Sequence, residues 1–206
     1  MHASRGAPIV LASGSPRRQQ LLGDLGITFD TVVSDAPETL SPGLAAAEQA
    51  ILLAERKARA VADQLGSGLV LGADTMVVLD DDFLEKPQDD EDAFAMLRRL
   101  SGRRHEVITG LALVDVATGG TWCEAVTTIV TMRDLPDAEI GDYIATGEPR
   151  DKAGAYAIQG AGAALIARYQ GCYTNVVGLP LCATARLLAT AGVLPFDHAP
   201  ECLHSA

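Results

Sequence analysis

The 206-residue sequence is poor in aromatic residues, at 4%, and has only four cysteines and no excess of positive charge. No apolar run approaches the roughly 20 residues of a membrane-spanning helix, and the N-terminus lacks the apolar core of a signal peptide, so no membrane partner is expected. A net charge of −11 argues against nucleic acid as a partner. A small anionic substrate would need a local positive pocket.

The cysteines, at positions 123, 172, 182 and 202, form no CxxC pair, and the histidines do not cluster. This distribution predicts free thiols in a reducing cytoplasm rather than a disulfide framework or a zinc site. Residues 1–7 and about 195–206 are interpreted as loose tails of a single domain that comprises the whole chain, 1–206.

The segment Ile9-Val-Leu-Ala-Ser-Gly-Ser-Pro-Arg-Arg-Gln-Gln-Leu-Leu22 predicts a buried strand, a turn and a helix. Pro16 suits the first helical position, with Ser15 as the cap and Gly26 at the end. Arg17 and Arg18 oppose the helix dipole at a cost of roughly 0.3–1 kcal/mol each, which an anion bound at the helix start would remove. The pattern alone leaves two interpretations open, a phosphate site and a pair of solvated arginines.

Hydrophobic periodicity predicts the other elements. We expect strands near 29–33, 69–79, 106–116, 121–132 and 163–169, and helices near 42–65, 89–102, 136–145 and 181–191. The runs 106–116 and 121–132 predict a long hairpin between helical segments. The predicted fold is therefore α/β, with a mixed, elongated β-sheet flanked by helices and two lobes around a deep cleft.

Three charged positions stand out in this pattern. Asp74 interrupts the apolar run 69–79, where an unpaired charge is costly, so it is either a structural residue satisfied by backbone donors or a functional carboxylate. Lys86 lies between a strand and a helix start, where functional side chains often occur. Lys57 lies near the edge of a helical core stripe, and the pattern alone predicts a solvated lysine.

The segment 147–162 is rich in glycine and shows little periodicity, which is typical of a binding loop. The chain has no GxxxxGK[ST] motif, no GxGxxG after a strand, no GxSxG and no HExxH, which excludes the usual P-loop, dinucleotide-binding, α/β-hydrolase and zincin sites. The remaining cations and carboxylates favour phosphate chemistry assisted by a carboxylate-held metal.

Five motifs in series resemble the Maf family of nucleoside triphosphate pyrophosphatases. They are Leu11-Ala-Ser-Gly-Ser-Pro-Arg-Arg18, Gly72-Ala-Asp-Thr75, Glu85-Lys-Pro87, Asp151-Lys-Ala-Gly-Ala-Tyr-Ala-Ile-Gln-Gly160 and Val177-Gly-Leu-Pro-Leu181. The resemblance covers about residues 8–190. It implies cleavage between the α- and β-phosphates, a divalent metal cation (Mg or Mn), an association with inhibition of septum formation, and a homodimer.

The resemblance also implies roles for individual residues. Asp74 matches the catalytic proton acceptor, and Glu38 matches a further site carboxylate, so these two are the candidate metal ligands. The candidate substrate-binding residues are Ser13, Arg17, Arg18, Lys57, Lys86, Thr75 and Gln159. Among them Arg18, Thr75 and Gln159 occupy the positions that separate the subfamilies, and they match the branch acting on dTTP and UTP rather than the branch acting on 7-methyl-GTP.

Two other functions remain open at this point. One is a nucleotide sensor that regulates septum formation without turnover, although a sensor has no need of a base such as Asp74. The other is a pyrophosphatase that removes deaminated purine nucleotides. Both would use the same phosphate site, so they differ from the main hypothesis in turnover and in base preference.

Overall fold

The computed structural model describes residues 8–194, and the two predicted tails lie outside this range. Its strands are β1 (Ile9–Leu11), β2 (Asp30–Thr31), β3 (Leu69–Leu79), β4 (Asp82–Leu84), β5 (Arg104–Asp115), β6 (Thr121–Met132) and β7 (Ile166–Gln170). They form one seven-stranded sheet in the order β2-β1-β3-β5-β6-β7, with β4 paired to β3. β1 runs parallel to both of its neighbours and the other pairs are antiparallel, which confirms the predicted mixed sheet.

The helices are α1 (Pro16–Gly23), α2 (Ala46–Ala62), α3 (Asp90–Leu100), α4 (Asp137–Ala145), α5 (Tyr173–Val177) and α6 (Leu181–Thr190). Three 3-10 turns, Glu148–Asp151, Ala153–Ala155 and Gly160–Leu165, occupy most of the predicted binding loop. α2 begins four residues after the predicted Pro42, because the Glu48 side chain accepts the Ala45 N–H and so caps the helix there. In the described range, no helix is both long enough and apolar enough to cross a membrane.

Two of the cysteines confirm the free-thiol prediction, and one does not. Cys123 and Cys172 are free, whereas Cys182 is disulfide-bonded. The prediction failed for Cys182 because spacing along the chain does not show which cysteines are neighbours in space. Cys202 lies outside the described residues.

Two large apolar clusters divide the molecule into two lobes. One cluster joins β1, α1 and α6 to the first half of β3, through Leu11, Leu22, Leu71 and Leu188. The other joins β4, α3 and α4 to the far half of the sheet, through Leu79, Leu97 and Ile140. The long strands β3, β5 and β6 extend under both clusters, so a single continuous sheet underlies the two lobes.

One edge of β3 is open between the lobes. β1 pairs with β3 at residues 69–71, and β4 pairs with the same edge at residues 77–79. Within the described chain, residues 72–76 have no strand partner on that side. Asp74 stands in the middle of this gap, so the sheet itself opens the cleft at the predicted catalytic position.

Glycines bring α2 unusually close to the sheet beside this gap. A Cβ atom on Gly72 would lie 2.1 Å from the Ala54 carbonyl oxygen, and one on Gly110 would lie 2.2 Å from the Ala50 carbonyl oxygen. Gly110 is the partner of Asp74 in the β3–β5 ladder. The helix backbone therefore rests directly on the strands next to Asp74, a position that any larger residue would prevent.

We predict that Gly110→Ala lowers the free energy of unfolding by about 1–3 kcal/mol, because the added methyl group must displace the α2 backbone. Urea denaturation measures this change. Gly141→Ala is the matched control, since a Cβ in that exposed part of α4 meets no atom within 4 Å. The control should be neutral or slightly stabilising, and equal stability of the two variants would contradict the close packing.

Candidate active site

A cleft of about 660 Å³ lies at the open edge of β3. Every residue predicted for the site lines it: Ser13, Arg17, Arg18, Glu38, Lys57, Asp74, Thr75, Lys86 and Gln159. Five cationic side chains and four anionic ones contribute to its walls. An acidic protein therefore has a local excess of positive charge in its cleft, as an anionic substrate requires.

Asp74 is held by Lys57. The Lys57 Nζ atom lies 2.5 Å from Asp74 Oδ1 and 2.6 Å from Glu38 Oε1. The side chains of Lys57 and Asp74 are each 12% exposed. The pattern-based prediction of a solvated Lys57 is therefore wrong, because the close approach of α2 directs this long side chain into the cleft. The partner of Asp74 is a buried cation, which excludes the interpretation that backbone donors alone satisfy it.

This arrangement favours the charged form of Glu38. The hydrogen bond from Lys57 is the main cause that lowers the pKa of the Glu38 carboxyl, against a smaller opposing effect of burial. The Lys57 side chain thus contacts two carboxylates. The formal charges of two carboxylates and one ammonium leave a negative charge, and all three side chains line the cleft.

The carboxylates of Glu38 and Asp74 supply some of the ligands that a metal site needs. Glu38 and Asp74 lie close together, since both contact the Lys57 nitrogen, and each has a second carboxylate oxygen that is not bonded to Lys57. Among residues 8–194 no cluster of three or more His, Cys, Asp or Glu side chains could hold a metal ion by itself. Mg²⁺ is commonly bound by one or two carboxylates and completed by phosphate oxygens and water, so the donor set suits an ion that enters with a phosphate substrate.

Arg18 is fixed by three acceptors. Its Nε donates to the Gly178 carbonyl at 2.8 Å, its Nη2 to Thr75 Oγ1 at 3.1 Å and its Nη1 to Ser13 Oγ at 3.4 Å. Burial lowers the pKa of this guanidinium, with opposing effects from the charges of Asp74 and Glu38. A rigid guanidinium at the cleft wall is a preorganised donor for a phosphate oxygen.

The start of α1 adds further donors beside Arg18. Ser15 occupies the cap position and Pro16 the first turn, as predicted, but the Ser15 side chain makes no capping hydrogen bond. Instead Ser13 Oγ accepts the Ser15 N–H at 3.2 Å. Ser13 thus orients the turn at the helix start, where free N–H groups favour an anion.

The remaining cations that line the cleft are Arg17, Lys86 and Lys152. Asp151 accepts from Lys152 at 2.6 Å and from Arg17 at 3.4 Å, so these two cations share one carboxylate. Lys86 is exposed, and no hydrogen bond or ion pair is found for it between residues 8 and 194. Lys86 is therefore the cation most free to bind phosphate.

The hydroxyl groups of Thr75 and Thr109 are hydrogen-bonded in series and support Arg18. Thr109 Oγ1 donates to the Asn175 carbonyl at 3.2 Å and lies 2.9 Å from Thr75 Oγ1. The Thr75 hydroxyl can donate to Thr109 or to the Gly178 carbonyl at 3.5 Å, and in either case its oxygen accepts from Arg18. Thr109 thus connects Arg18, through Thr75, to the backbone of Asn175.

The family comparison agrees with this geometry. The Maf family model, described as Maf-like protein, matches residues 8–191. The chain belongs to the Maf family. The matched range contains every residue that lines the cleft.

Curated Maf relatives match almost the whole chain. The dTTP/UTP pyrophosphatase of Geobacter metallireducens is 52% identical over 90% of this chain and 97% of its own length. The dTTP/UTP pyrophosphatase of Syntrophotalea carbinolica is 51% identical over 95% of this chain and 91% of its own. That of Geobacter sulfurreducens is 51% identical over 90% and 97%.

The sequence analysis did not identify Thr109 and Asn175, the buried residues that support the Maf motif residues Thr75 and Arg18. Thr109 and Asn175 are fully buried and belong to none of the five motifs. Thr109 meets Thr75 because the two are direct partners in the β3–β5 ladder. Only the strand register reveals that pairing, so no local signal could have identified Thr109.

We predict that Thr109→Val lowers the affinity for inorganic triphosphate by about 2- to 10-fold, because Arg18 loses part of its fixed support. It should also lower the free energy of unfolding by about 1–3 kcal/mol, since the Asn175 carbonyl loses its donor. Calorimetry and urea denaturation measure the two effects. Thr109→Ser keeps the hydroxyl and should behave as wild type; if it weakens binding as much as valine does, the hydroxyl chain is not the cause.

Proposed function

We propose that this Maf protein is a dTTP and UTP pyrophosphatase, which hydrolyses each nucleotide to the nucleoside monophosphate and pyrophosphate. The observation that carries the proposal is the Asp74–Lys57–Glu38 group, which faces a cleft whose walls carry Arg17, Arg18 and Lys86. It combines a candidate base with cations suited to a triphosphate. Relatives about 50% identical over most of this chain bear the name of that activity.

In the proposed mechanism the cations hold the phosphate chain. Arg18 and the start of α1 bind oxygens on one side of the cleft, and Lys86 binds from the side of β4. Arg17 exchanges its contact with Asp151 for the substrate. These contacts offset the charge of the triphosphate and place the α–β anhydride bond near Asp74.

Asp74 accepts the proton of the attacking water. Its Oδ1 atom is bonded to Lys57, so one lone pair of Oδ2 accepts the proton and the other remains for a cation. The water oxygen becomes part of the monophosphate, the α–β anhydride bond breaks, and pyrophosphate leaves with the electron pair. Asp74 and Glu38 would hold the divalent cation, Mg²⁺ or Mn²⁺, whose chemistry is to neutralise charge that develops on the phosphate oxygens.

Gln159 supplies base recognition in this proposal. It is exposed on the cleft wall and carries one amide donor and one amide acceptor. Thymine and uracil present O4 as an acceptor next to the N3–H donor, and one amide group can match both. Cytosine presents the reverse pair, so it is excluded only if the amide cannot turn over. Thr75 acts through Arg18, to which its hydroxyl is bonded.

The other two functions use the same cleft, but no observation favours them. A nucleotide sensor would bind the substrate without turnover, and a purine pyrophosphatase would prefer deaminated purine nucleotides. The proposal keeps three further expectations: a cytoplasmic location, which was based on the cysteine distribution, and a homodimer and a role in cell division, which the family resemblance implies.

Pyrophosphate release from a nucleotide panel tests the proposal. We expect the purified protein with Mg²⁺ or Mn²⁺ to release pyrophosphate from dTTP and UTP faster than from CTP, dITP or 7-methyl-GTP. Binding without release would support the sensor. Preference for dITP would support the purine pyrophosphatase, and either result would overturn the proposal.

We predict that Asp74→Asn lowers kcat by about 10²- to 10⁴-fold, because the amide keeps the shape of the side chain but cannot accept the proton. KM should change much less. Steady-state kinetics at saturating metal measures both. Asp151→Asn, which alters a carboxylate at the entrance of the same cleft, is the control and should retain kcat; comparable kcat losses in both variants would remove Asp74 from its assigned role.

A further inference from the structure

Outside the cleft, Glu148 and Tyr143 hold the segment that carries Gln159. Neither residue lines the cleft. We infer that they are positioning residues, which fix the segment 157–162, named here the Gln159 loop, and thereby set base selectivity. The inference rests on the proposed function and adds to it the part of the protein that holds the backbone around Gln159 in place.

The Glu148 carboxylate binds the far end of the Gln159 loop with both oxygens. Oε1 accepts the Gly162 N–H at 3.0 Å, and Oε2 accepts the Ala161 N–H at 3.0 Å. Two adjacent backbone donors on one carboxylate form a bidentate contact of the stronger, charge-assisted kind. This end of the loop therefore cannot move unless both bonds break.

Tyr143 binds the near end of the loop and also Glu148. Its hydroxyl donates to Glu148 Oε1 at 3.0 Å and accepts the Ala157 N–H at 3.2 Å. The tyrosine ring is 4% exposed and belongs to the core cluster beneath α4. The two ends of the loop are thus joined through one carboxylate and one hydroxyl to a rigid helix.

The packing at Gly160 shows how closely the loop lies on Glu148. Gly160 has a φ of +63°, and a Cβ atom there would lie 2.6 Å from Glu148 Oε2. Gly162 is equally confined, since its Cβ would lie 2.8 Å from the Tyr143 hydroxyl. Gln159 stands between these contacts and the Tyr143–Ala157 bond, so its backbone is held on both sides.

The carboxylate is charged at neutral pH. Burial raises the pKa of the Glu148 carboxyl, but hydrogen bonds from Gly162, Ala161 and Tyr143 outweigh this effect and hold the pKa below its usual value. Lys152 adds a bond from its Nζ to the Glu148 carbonyl at 2.6 Å. The Glu148 carboxylate therefore offers the N–H groups of the loop a charged acceptor.

The chemistry of the base explains why this rigidity matters. An amide that turns over recognises cytosine as well as it recognises uracil, since the two bases differ by exchange of a donor and an acceptor. A fixed backbone at Gln159 restricts the poses in which the base and the amide can meet. Release of the loop should therefore help CTP relative to dTTP, and it should leave the phosphate contacts unchanged.

Glu148→Gln tests the inference, because the amide keeps the size of the side chain but has only one acceptor oxygen for two N–H groups. We expect the ratio of kcat/KM for dTTP over CTP to fall by about fivefold or more, mainly through KM for dTTP. Amide hydrogen exchange of the substrate-free protein should accelerate by about tenfold at Ala161 or Gly162. Asp142→Asn removes an exposed charge from α4, next to Tyr143, and is the matched control, with no change expected in either measurement.

Tyr143→Phe provides a second variant, which also serves if Glu148→Gln does not fold. It should accelerate exchange at Ala157, whose acceptor is lost, more than at Ala161 and Gly162, which keep Glu148. Purely global destabilisation would accelerate all three alike and would contradict the inference.

Two results overturn the inference, and both differ from failure of the proposed function. Unchanged exchange in Glu148→Gln would show that the carboxylate does not hold the loop. Faster exchange with an unchanged ratio of dTTP to CTP would show that the loop does not set selectivity. If the wild type released no pyrophosphate from dTTP or UTP, the proposed function would fail and the selectivity claim with it, while exchange would still report on the loop.

Discussion

The buried charge of Asp74 is the constraint on which the rest of the site depends. A carboxylate within an apolar strand is costly unless an opposite charge reaches it. Lys57 reaches Asp74 because the backbone of α2 rests on Gly72 and Gly110. The two glycines, the helix and the salt bridge thus act as one unit, and the same unit brings Glu38 to the cleft.

The parts of the fold with strong periodicity were predicted well from the sequence. β3, β6 and the start of α6 have the predicted bounds, because alternation and helical spacing are local properties. β2 was predicted as five residues and has two, and α5 was not predicted. Both are short, and tertiary contacts rather than local pattern determine where such elements begin and end.

The site shows the same division between local and long-range information. All nine proposed site residues line one cleft; seven come from the five motifs, whereas Glu38 and Lys57 lie outside them and pattern alone left Lys57 on the surface. Thr109 and Glu148 were missed for a common reason. Each acts on a residue that is remote in the chain, 34 positions away for Thr75 and 13 or 14 for the loop amides. Such pairs become visible only when register and loop path are known.

The gap in the edge of β3 has a consequence for the behaviour of the protein in solution. An open strand edge is a template on which a strand of another molecule can pair, and long open edges promote aggregation. Here the open stretch is confined to residues 72–76, with β1 on one side and β4 on the other. Since backbone groups alternate in direction, only those of Ala73 and Thr75 face outwards. A stretch this short offers a foreign strand too few hydrogen bonds to add to the sheet, so the sheet can keep an opening for chemistry without exposing an edge to which another molecule adds a strand.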